Sequence, residues 1–179
     1  MMHQENKQNI ILIGMPGFGK STAGVVLAKL MGYRFLDSDL VIQEQENRLL
    51  SEIIAQEGIE AFEAAENRIN AGLDVRRTVI ATGGSVIYGR DAMEHFRSIG
   101  VVVYLSLPYE ELCTRLGDLT KRGVVIRPGQ TLWDLYQERQ PLYEAWSDIR
   151  IPVGNLDITD TALLIRSRVT ETLTREKKT

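Results

Sequence analysis

Short aliphatic runs alternate with longer stretches of helical periodicity along the whole chain. Asn9–Ile13 (NIILI) is aliphatic and closes on a glycine-rich turn, which predicts a short buried strand. Arg34–Leu36 predicts a second strand, Thr78–Ala81 a third and Val101–Leu105 a fourth. Ile149–Val153 predicts a weaker fifth, and Pro152 shortens it or confines it to a sheet edge. Helical patterns lie between them over Ser21–Met31, Asp39–Glu46, Leu50–Leu73, Asp91–Ser98, Tyr109–Leu116, Thr131–Trp146 and Thr161–Thr174. Such alternation, with continuous rather than every-other apolar strands, implies a parallel sheet covered on both faces. Gly117–Gln130 is the longest irregular stretch and holds Lys121, Arg122 and Arg127 among turn formers. It reads as a lid, with a plain surface loop as the alternative.

Composition narrows the chemistry. At 179 residues with a net charge of −3, the chain fits one domain, 1–179, with no basic groove for nucleic acid. No apolar stretch approaches a membrane span, and the polar start MMHQENKQN carries no apolar core of a leader, so a cytoplasmic address is the expectation. Cys113 stands alone and is expected to be packed beside Leu112 and Leu116; His3 and His95 are the only imidazoles. Disulfides, thiolate zinc clusters, multi-histidine metal sites and a Ser-His-Asp engine are thereby disfavoured. Carboxylates, Lys, Arg, hydroxyls and backbone amides remain. Trp133, Tyr136, Tyr143 and Trp146 fall at helical spacing and read as core or domain edge.

Gly14-Met15-Pro16-Gly17-Phe18-Gly19-Lys20-Ser21-Thr22 matches G-x-x-x-x-G-K-[ST] in full, directly after a strand and at the start of a helix. The glycines let successive N–H groups turn inward as an anion nest, and the helix adds the positive end of its dipole. Lys20 would reach the β/γ-phosphates, and the Ser21 hydroxyl would ligate Mg²⁺. Nucleotide binding follows. A guanine-reading N-K-x-D string is absent, and the chain is small for a motor, which favours a small-molecule kinase.

Asp37 and Asp39 stand where the second strand runs out. If the backbone there is extended, residues i and i+2 point to the same side, over the crevice where ligands of open α/β sheets bind. One carboxylate can help hold Mg²⁺ and the other can orient an attacking hydroxyl; Asp37 can cap the next helix as well. Thr82-Gly83-Gly84-Ser85 follows the third strand, and its glycines allow backbone to approach a ligand.

Taken together these residues resemble the shikimate kinase family, within the nucleoside-monophosphate-kinase-like P-loop group. The resemblance runs from Asn9 to about Thr174. It rests on Gly14–Thr22, the D-x-D of Asp37 and Asp39, F-x-x-x-E at Phe62–Glu66, Gly83-Gly84, Arg115 before the basic loop and Arg139-x-x-Leu142-Tyr143 after it. It implies a three-layer α/β/α fold on a five-stranded parallel sheet, a lid at about 117–130 and a substrate-binding segment at about 37–73. The implied reaction moves the ATP γ-phosphoryl group to the 3-hydroxyl of shikimate, with Mg²⁺; neither nucleic acid nor membrane is expected as a partner, and a monomer is the expectation with an oligomer as the alternative. In that scheme Lys20 and Ser21 serve ATP and the metal, with Asp37 near the metal. Asp39 orients the hydroxyl, Gly83 and Gly84 offer backbone to the substrate, and Arg139 binds its carboxylate. Arg115 lies against adenine, and Arg122 is the lid cation, with Arg127 as its alternative.

Two positions depart from the pattern. Glu63 stands where the family places an arginine that helps grip the substrate carboxylate, and Ser85 replaces a third glycine. Two carboxylates 4 Å apart repel by about 4 kcal/mol at an effective dielectric of 20, so an unpaired Glu63 would oppose that grip. The alternative is that Glu63 faces solvent and Arg68, Arg76 or Arg77 takes over. The departures also keep open a kinase of the same fold for a different hydroxylated metabolite. A nucleotide-gated binding module is the third reading.

Overall fold

The computed structural model describes residues 8–116 and 126–176. The element order is β1 (Asn9–Ile13), α1 (Lys20–Met31), β2 (Arg34–Asp37), α2 (Ser38–Glu46), α3 (Leu50–Glu57), α4 (Ile59–Ala71) and β3 (Thr78–Ala81). It continues with a single 3₁₀ turn (Val86–Tyr88), α5 (Arg90–Ile99), β4 (Gly100–Ser106), α6 (Tyr109–Leu116), α7 (Leu132–Trp146), β5 (Ile149–Pro152) and α8 (Ile158–Glu176). The five strands form one sheet in the order β2-β3-β1-β4-β5, with every neighbouring pair parallel. Every residue of β1, β3 and β4 is buried, which accounts for their unbroken aliphatic runs. Pro152 lies on β5, an edge strand paired only with β4, where its missing N–H breaks no second ladder. Among the described residues, no helix is long and apolar enough to cross a membrane.

The stretch from Leu50 to Leu73 is two helices rather than the one its periodicity predicts. Gly58 stands between them at φ 90°, ψ 172°, closing α3 through its N–H on Ile54 O at 2.9 Å. Its carbonyl then accepts the first bond of α4, from Phe62 N. Ile53 and Phe62 are nine residues apart and would face opposite ways on one unbroken helix; the break at Gly58 lets both enter one small core with Ile42 and Ile69. Cys113 is exposed, against expectation. Leu112 and Leu116 are one turn apart and face inward, and the intervening position is rotated away from them. Tyr136 and Tyr143 are buried as expected, whereas Trp133 is at the surface, stacked on Tyr136 and edge-on to Tyr109.

Asn9, the single polar residue of β1, ties three segments together. Its side-chain Nδ2 donates to Val75 O at 2.8 Å and Ile99 O at 3.1 Å, while Oδ1 accepts from Thr78 N at 3.0 Å. It is 2% exposed and thereby sets the starts of β3 and β4 beside β1. Asn9→Ala strips Val75 O and Thr78 N of this partner, while Ile99 O still accepts from Gln8 N at 3.2 Å, and is expected to cost about 3 kcal/mol, from one to three per orphaned buried group less what water recovers. Asn9→Asp should also destabilise, because a carboxylate cannot donate to two carbonyls. Urea denaturation monitored by circular dichroism checks both.

Candidate functional site

The site is built where β1 ends. Gly14, Gly17 and Gly19 hold φ of 146°, 84° and 70°, conformations that let the loop curl back over the start of α1. Gly19 caps α1 with no side-chain bond, so the first N–H groups of the helix remain available to an anion. Met15 and Phe18 are buried beneath the loop, Pro16 lines the adjoining cavity, and Ser21 and Thr22 are exposed on the first turn of α1. Lys20 folds back on the loop, its Nζ donating to Gly14 O at 2.8 Å and Met15 O at 2.9 Å. Burial lowers its pKa to about 8, a fall that the nearby Asp39 carboxylate partly offsets.

Asp37 and Asp39 do not project side by side from an extended strand. Asp37 ends β2 and caps α2, its Oδ1 accepting from Asp39 N at 3.0 Å, so Asp39 already lies in the first turn of the helix. Capping wins because it satisfies an orphan helix donor that an extended backbone would leave bare. The two carboxylates then face different partners. Asp37 Oδ2 accepts from Ser21 Oγ at 2.7 Å, beside the loop. Asp39 turns into a cavity, where burial, with Asp37 as a second contribution, raises its pKa to about 6.

That cavity has a volume of about 480 Å³ and is walled by Leu50, Ile54, Ile59, Phe62, Pro16 and Ile126. Its polar lining is Asp39, Ser51, Ser85, the Gly83-Gly84 backbone and Arg139. A Cβ on Gly83 would stand 2.8 Å from Glu66 Oε1 and 2.9 Å from Asp39 Oδ1, so this glycine is where two carboxyl groups meet the chain. Glu66 is 1% exposed; Ser85 Oγ donates to its Oε2 at 2.6 Å, and burial raises its pKa to about 8. Ser85 thus adds a donor that a glycine would lack. Gly84 O accepts from Tyr143 Oη at 2.6 Å, which anchors the turn to α7.

Arg139 is 3% exposed, its Nε donating to Tyr88 Oη at 3.3 Å and its guanidinium lying 5.4 Å from the Tyr88 ring centre. Among the described residues no carboxylate forms an ion pair with it. Glu63 is neither unpaired nor turned to solvent: Arg127 Nη2 donates to its Oε1 at 3.0 Å and its Oε2 at 3.2 Å. Of the arginines considered as substitutes, Arg68 pairs with Glu46 and Arg77 packs over Tyr33; neither lines the cavity. Arg115 donates to Gly154 O from the last turn of α6, placing its side chain against the loop after β5. Arg122 lies outside the described residues.

Sequence reasoning left Tyr88 unnamed and quoted Glu66 only as the end of F-x-x-x-E, without a role in the site. Tyr88 carries no motif and joins the site only because the 3₁₀ turn after Gly84 aims it at α7. A clue to Glu66 was present: an acid at the helical spacing of buried Phe62, Ala65 and Ile69 is an anomaly that burial must explain.

Comparison with known proteins agrees with this geometry. The family model described as shikimate kinase matches residues 16–170. The chain is 36% identical over 168 residues to the shikimate kinase of Thermosynechococcus vestitus, covering 92% of this chain and 89% of that one. It is 38% identical over 150 residues to the shikimate kinase of Pasteurella multocida, covering 82% and 86%. The solved shikimate kinase from Acinetobacter baumannii in complex with shikimate superposes with a TM-score of 0.84 at 33% identity, covering 94% of this chain and 96% of that one.

A raised carboxyl pKa has a definite sign in stability. Because Glu66 keeps its proton up to about pH 8, against about 4.5 in the unfolded chain, its contribution is full below pH 4.5 and is lost as pH rises through 8. Glu66→Gln removes that titration. The variant should match the parent near pH 4.5 and exceed it by a few kcal/mol, to order of magnitude, at pH 8–9. Chemical denaturation across this range checks it, and parallel profiles for the two proteins would refute the assignment.

Proposed function

The chain belongs to the shikimate kinase family, and we propose that it transfers the γ-phosphoryl group of ATP to the 3-hydroxyl of shikimate. The observation that carries this reading is one cavity that holds, within reach of the phosphate loop, a half-buried carboxylate at one place and a buried arginine without a carboxylate partner among the described residues at another. Shikimate presents complementary chemistry: a ring with apolar faces, three hydroxyls and one carboxylate. The apolar walls suit the ring, Arg139 suits the carboxylate, and Asp39 suits the reacting hydroxyl. The volume is in the range of small-molecule sites. The shikimate-bound Acinetobacter structure supports the same acceptor.

In this mechanism Lys20 exchanges its contacts with the Gly14 and Met15 carbonyls for the β- and γ-phosphates. The uncapped start of α1 and the loop amides hold those phosphates, and Arg115 lies against the adenine. Ser21 Oγ and the Asp37 carboxylate are adjacent hard oxygen donors on an exposed turn, a set that fits Mg²⁺, which usually takes few protein ligands and keeps several waters. Bound there, Mg²⁺ would offset the charge of the phosphates. Asp39 accepts the proton of the 3-hydroxyl as its oxygen attacks the γ-phosphorus, and ADP leaves with the bonding pair. The Gly83-Gly84 backbone positions the ring, and the segment 117–130 supplies the cation over the transferring charge.

The test is a coupled ADP-release assay. Millimolar shikimate should stimulate turnover severalfold or more above the rate with ATP alone; no stimulation while ATP still binds would overturn the reading. Asp39→Ala should lower kcat by about 10²- to 10³-fold, the usual worth of a positioned proton acceptor, without lowering thermal stability. For the parent enzyme, kcat/KM should fall below about pH 6, where Asp39 gains its proton.

A further inference from the structure

Arg127 and Arg139 flank one aromatic ring. Their guanidinium carbons lie 5.5 Å and 5.4 Å from the centre of Tyr88, and both side chains line a small void of about 10 Å³ beside the main cavity, with Ile59, Glu63 and Leu135. Arg139 is buried, with no carboxylate partner among the described residues; Arg127, half-exposed, holds Glu63. Both of its short contacts to Glu63 come from Nη2. That nitrogen belongs to both hydrogen-bonding forks of a guanidinium, Nη1/Nη2 and Nε/Nη2. While both Glu63 oxygens sit on it, a second carboxylate taken in the bidentate manner that makes such pairs strong must share that nitrogen with Glu63 and lie close to its charge. Nη1 has only a loose ion pair, 3.6 Å from Glu138, whose carboxylate is already engaged by the Tyr88 hydroxyl and by Gln130.

We propose that Glu63 stands in for the acceptor's carboxylate: it holds Arg127 in the small void that shares Ile59 and Arg139 with the main cavity, and a carboxylate-bearing acceptor displaces it to gain Arg127 as a second cation beside Arg139. This rests on the reading of the chain as a kinase of shikimate. Glu63 is then a specificity-determining residue that acts through Arg127. It sets the affinity for anionic acceptors and leaves the phosphoryl-transfer groups untouched. The exchange is between like partners. An anion leaves Arg127 and an anion arrives, so Arg127 is never left without a counter-charge near the buried guanidinium of Arg139.

The experiment compares shikimate with its uncharged methyl ester as acceptors for the parent, Glu63→Gln and Arg127→Gln. Glu63→Gln should lower the KM for shikimate by roughly 3- to 10-fold, and Arg127→Gln should raise it by about 10-fold, where tenfold corresponds to about 1.4 kcal/mol. Neither substitution should move the KM for the ester or for ATP by more than twofold. The proposal is overturned if Glu63→Gln raises the KM for shikimate, if the ester responds as shikimate does, or if Arg127→Gln lowers kcat with KM unchanged, which would place Arg127 on the transferring phosphoryl group instead. A parent enzyme that binds ATP but shows no turnover with either acceptor would sink the kinase reading itself, and the two failures are thus separable.

Discussion

Everything functional in this molecule depends on β1 being held on both edges. With β3 on one side and β4 on the other, β1 is the strand from which the sheet is laid outward in both directions, and its carboxyl end is where the connections diverge. In an open parallel sheet that divergence leaves a crevice. The phosphate loop leaves β1 at this point, the D-x-D leaves β2 and the glycine turn leaves β3, so three loops distant in sequence share one end of the sheet. The Asn9 amide reinforces the same constraint from the opposite end of β1, where it aligns the starts of its neighbours through hydrogen bonds rather than packing.

The crevice concentrates charge that the folded protein does not need for itself. Lys20, Glu66 and Arg139 are buried and Asp39 is half-buried beside them, and each perturbs at least one of the others. Burial shifts the ionisable groups toward neutrality, with the acids up and the lysine down, which is the mark of a site that water leaves incompletely compensated. Such groups cost stability in the free protein; anionic ligands would offset that cost for Lys20 and Arg139 and would hold the acids further toward their neutral forms. Positioned charge also suits the chemistry. Phosphoryl transfer is catalysed mainly by placement and electrostatic stabilisation, and it needs no thiol or imidazole, in keeping with a chain that has one cysteine and two histidines.

The parts of the site that were legible in the sequence are those whose chemistry is local. The phosphate loop reads directly because a strand, a glycine turn and Lys20-Ser21 follow one another within a few residues, and the aliphatic strands read directly because both faces are buried. Asp37 and Asp39 were legible as a pair and Asp37 as a helix cap, but not their final directions: capping draws Asp39 into a helix, and this sends the two carboxylates to different partners. The break at Gly58 was passed over although Ile53 and Phe62, on either side of it, would face opposite ways on one continuous helix. Tyr88 was invisible, since its role comes from a turn packing against α7 and not from any neighbour in the chain.

Glu63 shows most clearly what a single position conceals. Considered alone, an acid beside an anion-binding cavity argues against an anionic substrate, by an amount that Coulomb's law makes decisive if the acid is unpaired. Its partner, however, lies 64 residues further along the chain, in a segment where Arg127 read as an alternative lid cation and not as a partner of Glu63. With Arg127 in place the local charge is balanced, and the question changes from whether the acid repels the substrate to which anion the arginine holds. A cation shared between an internal carboxylate and a substrate carboxylate makes affinity a difference between two similar interactions. Such a difference is small, and it is tuned by the geometry of the pair rather than by the presence of either charge. Selectivity here is therefore a property of the Glu63–Arg127 pair, and neither residue can be assigned a role without the other.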